Sequence, residues 1–242
     1  MIVTQIAQII AGFVFFLEAN DDETLDPDAA VEMMEELGAG LQALDKGFLR
    51  ELVEAFAAIA PGYREWQQLI SDIPYHFYLE EVLAANDPAR LAELAELRDA
   101  REANGRQFDE TTSHRNMRRP SRRAADWSSH VAGTTEHRQH RGEDGGAMIV
   151  MQAARIIADF IIFLDMTDDD TLNPDTAVHM METLAVDLEG LDKEFLRQLI
   201  DAFPVIAGEY SGEAQRLVLS IPSDFGLEEA FADDDPMDDD RP

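Results

Sequence analysis

Two short acidic stretches recur in this sequence, and they hold its most concentrated chemistry. Asp21-Asp22-Glu23-Thr24-Leu25-Asp26-Pro27-Asp28 and Asp168-Asp169-Asp170-Thr171-Leu172-Asn173-Pro174-Asp175 lie 147 residues apart and correspond position by position. Clustered carboxylates suit three tasks: holding a hard cation, acid–base catalysis by a carboxylate pair, and recognition of a basic surface. A calcium loop counted from Asp21 needs ligands at the third and fifth positions, glycine at the sixth and glutamate at the twelfth. Glu23 and Glu32 fit that count, but Leu25 and Asp26 do not, and the twelfth position of the second copy is His179. Helix capping explains Asp26 and Asn173, with Pro27 and Pro174 at the first helical position. One cap contributes about 1 kcal/mol and uses one acceptor. The surplus acids Asp21, Asp22, Glu23, Asp28, Asp168, Asp169, Asp170 and Asp175 are therefore the candidate partner-binding residues.

Other chemistries find little support. The chain has no cysteine, which excludes disulfides and cysteine-ligated zinc or iron–sulfur centres. His76 aligns with Asp224 and His179 with Glu32, so the repeated design requires neither, and His137 and His140 have no zinc-like spacing. No nucleophile elbow or glycine-rich phosphate loop is present. With 50 acidic residues, chance pairs of carboxylates carry little weight. No catalytic residue, metal ligand or cofactor is assigned, and a non-enzymatic protein is expected.

The charge points the same way. Nineteen basic and 50 acidic residues give a formal charge of -31. Direct binding to nucleic acid or to an anionic membrane is electrostatically unfavourable, and a basic protein is the natural complement. The charge is concentrated at the ends: -13 over residues 1–83, zero over 84–147 and -18 over 148–242. Thr4, Gln5 and Gln8 interrupt the first apolar run, so no membrane span or secretion signal is expected and a cytoplasmic location is the default.

Helices must position the acidic loops. Ile2, Ile6, Ile9, Ile10, Phe13, Val14, Phe16 and Leu17 fall at helical spacings in a stripe wide enough for a central, mostly buried helix. After the loop, Val31, Met34, Leu37, Leu41 and Leu44 define a second helix. A third, capped by Asp45, carries Phe48, Leu49, Leu52, Val53, Phe56 and Ile59. Pro61-Gly62 ends it, and a short closing element runs through Trp66, Leu69 and Ile70 until Ile73-Pro74 stops it. Met33-Met34 and Met180-Met181 are read as core, and Lys46, Arg50, Lys193 and Arg197 as partners of nearby acids.

From Met148 the pattern repeats, with 35 identities in the first 60 positions and one inserted residue before Ile221-Pro222. The expected fold is all-α: two homologous small bundles, each of three main helices plus a short closing element, over residues 1–83 and 148–231. A further helix opened by Asp87-Pro88 and closed by Asn104-Gly105 extends the first bundle to 105. Residues 106–147, rich in arginine and histidine, read as a disordered linker, and 232–242 as a disordered acidic tail. Glu143-Asp144-Gly145-Gly146-Ala147 ahead of Met148 could be encoded by a purine-rich run like a ribosome-binding site, which suggests fusion of two adjacent paralogous genes. Whether the bundles pack together, form oligomers or each bind a partner is open at this level.

Within each bundle the pattern runs Phe-x-x-Phe-Leu, the acidic loop, Asp/Asn-Pro-Asp-x-Ala-Val, Leu-Asp-Lys-x-Phe-Leu and Ile-Pro-x-x-Phe. It resembles small acidic all-helical bacterial immunity proteins of polymorphic toxin systems, here as a tandem duplication. The resemblance implies inhibition by binding, with an acidic surface covering the active site of a basic toxin. Two alternatives come from other classes: a DNA mimic or scaffold binding several basic proteins, and a metal-dependent enzyme or calcium-binding protein using the loops.

Overall fold

The computed structural model describes residues 2–111 and 144–229, with side chains described for 2–103 and 146–229. Among the described residues all regular structure is helical. The expected tail at 232–242 and the expected linker between 112 and 143 lie outside the described residues. The linker's expected ends are helical instead, because the flanking helices run to Thr111 and begin at Asp144.

The first repeat contains α1 (Ile2–Ala19), α2 (Pro27–Gln42), α3 (Lys46–Ile59), a 3₁₀ segment (Ala60–Trp66) and α4 (Gln67–His76). Helix α1 buries Ile6, Ile9, Ile10, Phe13, Val14, Phe16 and Leu17, as its broad apolar stripe requires. By length and composition alone, α1 and the stretch Gly146–Met166 would suffice to cross a membrane. Thr4, Gln5 and Gln8 lie within α1 and carry no charge. Half of each stretch is buried within the fold.

Asp26 caps α2 by accepting from the amides of Asp28 and Ala29 at 2.8 and 3.2 Å. Asp45 caps α3 through Gly47 and Phe48 at 2.8 and 3.2 Å. Proline does not stop the closing element as expected. Helix α4 runs through Pro74, and its counterpart α10 (Gly212–Asp224) through Pro222. Each proline lies in the last turn, where one intrahelical bond is lost, and each ring is buried. Both repeats are therefore four-helix units rather than three helices and a short closure.

Short helix α5 (Leu79–Leu83) and α6 (Pro88–Thr111) come next. Asp87 caps α6 through Ala89 and Arg90, and Asn104-Gly105 does not end it. The chain divides into two units: residues 80–142 form one, and both repeats together form the other. Within the smaller unit Arg98 pairs with Glu81 at 2.5 Å.

The second repeat is built from α7 (Asp144–Met166), α8 (Pro174–Glu189), α9 (Lys193–Ile206), a 3₁₀ turn (Ala207–Glu209) and α10. Asn173 caps α8 through Asp175 and Thr176, repeating the geometry of Asp26. The repeats are not independent bundles. They pack around α1 and α7, with α2 against α7 and α8 against α1. Phe13 and Phe160 stack at a centroid distance of 3.8 Å, and Phe16 meets Phe160 edge-on at 5.9 Å. Ile6, Ile9, Ile10, Ala153, Ile156 and Ile157 line the seam so closely that about 10 Å³ remains. The core is wholly apolar among the described residues, and it leaves no buried side-chain polar atom without a partner.

Polar contacts across the seam obey the same two-fold relation. Gln5 Nε2 donates to the Gly190 carbonyl at 2.6 Å, and its Oε1 accepts from the Asp192 amide at 3.3 Å. Gln152, at the matching position, donates to the Ala43 carbonyl at 2.6 Å and accepts from the Asp45 amide at 3.1 Å. Each glutamine thus joins the end of one helix to the start of the next in the other repeat, using amides and carbonyls that helix termini leave unpaired. Gly40 completes the fit, since a Cβ there would lie 3.1 Å from Ile156 Cγ1.

Candidate functional site

The acidic loops meet at the opposite end of the seam. Leu25 and Leu172 form an isolated antiparallel bridge, flanked by Asp26 N donating to Thr171 O at 2.7 Å and Asn173 N donating to Thr24 O at 2.8 Å. Both leucines are buried, 3% and 1% exposed, so the middle of each acidic loop is an apolar plug. Burial of the leucines and pairing of the backbone fix the two loops side by side. The eight candidate acids flank this bridge, and all are exposed.

Their local roles differ. Asp21 accepts from Thr24 Oγ1 at 2.7 Å, and its carbonyl accepts from the amides of Thr24 and Leu25. Asp168 accepts from the Asp170 amide at 3.2 Å and turns its loop in the same way. Asp28 and Asp175 occupy the first turns of α2 and α8, where the positive helix end favours a carboxylate. Folding therefore accounts for more of the acids than capping alone suggests. Glu23, Asp169 and Asp170 have no such role for their carboxylates. Among the described residues no group of three acidic or histidine side chains is placed to hold a metal ion.

Sequence reasoning missed a second polar cluster, where the 3₁₀ turn after α9 meets α7. Tyr210 Oη donates to Asp159 Oδ1 at 2.6 Å, while Arg155 grips Glu209 through Nε at 2.7 Å and Nη2 at 2.5 Å. Burial raises the pKa of Asp159 above the ordinary aspartate value, the Tyr210 hydrogen bond opposing it. Burial and the same hydrogen bond push the Tyr210 phenol up. The Arg155 hydrogen bond holds Glu209 below the ordinary glutamate value. Glu36 on α2 is raised by lost solvation at the seam, then by the charges of Asp159 and Glu32. On the other side of the two-fold, burial and the charge of Asp187 raise Tyr63. The cluster has no signature in one repeat alone. In the sequence the tyrosine is shared, Tyr63 matching Tyr210, while the acids diverge: Gly12 stands where the second repeat has Asp159, and Gly40 where it has Asp187.

The methionine pairs read as core are largely buried, and Lys46 and Arg50, read as partners of nearby acids, are exposed. Met33 and Met180 are buried and Met34 and Met181 half-buried. Arg197 pairs with Glu194 at 2.8 Å, whereas Gly47 replaces that glutamate in the first repeat. A hollow beside Glu93, Glu96 and Leu97 on α6 is open to solvent. Comparison with known protein families, curated proteins and solved structures finds no match to this chain.

Proposed function

We propose that this chain is a non-enzymatic acidic protein-binding module of the cytoplasm, of the immunity type, which neutralises a basic toxin by covering its active site. The observation that favours this reading is the Leu25–Leu172 bridge, which joins two weak acidic loops into one surface. Asp21, Asp22, Glu23, Asp28, Asp168, Asp169, Asp170 and Asp175 are the contact residues in this reading. A charged rim around a fixed plug steers a basic partner and discriminates against others, while affinity depends on the fit of the contact. No cofactor takes part.

Affinity capture from the native host tests it, using the chain and a variant with Asp22→Asn, Glu23→Gln, Asp169→Asn and Asp170→Asn. One basic protein, encoded beside this gene, is expected on the chain at low and moderate salt and absent from the variant. Equal capture by both, or no partner at either salt, contradicts the reading. Many basic proteins displaced by DNA would instead favour a DNA mimic. The pattern of carboxylates gives the metal-dependent alternative no comparable argument, since they are not gathered around a common point.

A further inference from the structure

We infer that the seam between the repeats is a subunit interface enclosed within one chain, through which repeat 1 of one copy pairs with repeat 2 of a second copy. The inference is independent of the partner proposed above. Its basis is reciprocity. Gln5 reaches Gly190 and Asp192 as Gln152 reaches Ala43 and Asp45; Phe13 stacks on its own counterpart Phe160; Leu25 bridges to its own counterpart Leu172. Contacts of this self-complementary kind define an isologous dimer, and exchange of such an element between copies recreates every contact without a new interface. No contact in the seam depends on which chain supplies each half.

Covalent connection decides only the competition. The chain leaves the paired repeats after Leu79 and returns at Glu143, and the intervening residues belong to the other unit. Covalent connection supplies the second repeat at an effective concentration on the order of 1 mM. Dilute chains therefore close internally. Exchange becomes competitive when concentrated chains refold and meet before their seams have formed.

The seam also selects which repeats pair. At position 40 an added Cβ would lie 3.1 Å from Ile156 Cγ1, closer than an ordinary contact, so Ile156 would have to shift. The matching residue in α8 is Asp187. If repeat 2 met another repeat 2, the aspartate side chain would enter that space and set a carboxylate on an isoleucine, beside a seam that already holds Asp159. A pair of first repeats avoids this clash but strands two second repeats with the apolar face of α7 uncovered. The product of exchange is accordingly a closed dimer with two seams, each joining repeat 1 to repeat 2.

Cysteine-free sequence makes the test clean. Leu25 and Leu172 form the pair of an antiparallel bridge that is not directly hydrogen-bonded, so their Cα atoms lie about 4.5 Å apart and within disulfide reach. A Leu25→Cys chain and a Leu172→Cys chain are unfolded, mixed, refolded together at high concentration and oxidised. A disulfide-linked dimer is expected from the mixture and from neither variant alone. Light scattering of the unmodified chain refolded alike should show a species of twice the 27.1 kDa chain mass. An entirely monomeric unmodified chain overturns the inference, as does a mixture without covalent dimer when the double variant closes its internal disulfide. Equal cross-linking of either single variant alone overturns the pairing rule.

Discussion

At the scale of single residues, the repeats provide an internal comparison. Tyr78 and Gly226 occupy the same position after α4 and α10, with φ of 55° and 64°. Both follow a helix end and precede a fully buried leucine, Leu79 or Leu227. A left-handed residue is needed at this turn, and glycine adopts it without the side-chain penalty. Gly226→Ala should destabilise the chain by about 1 kcal/mol in denaturant unfolding. A neutral Gly226→Ala would contradict this. Tyr210→Phe removes the donor that stabilises the Asp159 carboxylate, and should cost about 1–2 kcal/mol at pH 7. The loss should shrink at pH 4, where more of Asp159 is protonated and less charge is left unpaired; an equal loss at both pH values would count against the assignment. None of this cluster was legible from one repeat, because Asp159, Tyr210 and Glu36 come from separate helices and turns. The caps Asp26, Asn173 and Asp45 were legible, because a cap is a local contact between a side chain and amides two and three residues on.

At the scale of elements, most helix starts could be read and several ends could not. Polar caps mark the starts of α2, α3, α6 and α8. Ends depend on tertiary packing: Pro74 and Pro222 stay inside helices because their rings are buried, and α6 continues through Asn104-Gly105. The apolar stripe of α1 showed that it must be covered, but periodicity carries no information about which helix covers it. The answer is α3 of its own repeat on one side and, across the seam, α8 and the side chains of α7. Phe13→Ala or Phe160→Ala would remove half of the central stack, and each should lower stability by about 3–5 kcal/mol, the range for a large buried aromatic. Asp26→Ala and Asn173→Ala should each lose about 1 kcal/mol. A loss under 1 kcal/mol for Phe160→Ala would show that the repeats do not share a core.

At the scale of the whole molecule, charge and seam act together. Asp159, Asp187 and Glu36 all have raised pKa values, mainly through lost solvation, whereas Glu209 is lowered by Arg155. A carboxyl raised on folding holds more protons in the native state, so stability grows as pH falls through its folded value and is complete below the ordinary value. The Glu209 contribution runs oppositely and is lost only as pH falls below its ordinary value of 4.5. Between pH 7 and about 5 the raised group prevails, and protonation also relieves the self-repulsion of a chain at -31. Thermal unfolding should therefore have a higher midpoint at pH 5 than at pH 7; a lower one would contradict this balance.

The duplication and the all-helical class were evident from the constant offset and the three-and-four rhythm of apolar residues. The joining of the acidic loops was not, because Leu25 and Leu172 are the same anchor seen twice and nothing in either copy states that each is the other's partner. That joining is the central claim, since it turns two capped loops into one surface. The most direct measurement is oxidation of a dilute Leu25→Cys/Leu172→Cys chain, followed by mass analysis of its thiols. Near-complete closure of a disulfide within monomeric chains is expected. Free thiols in folded monomers would contradict the account.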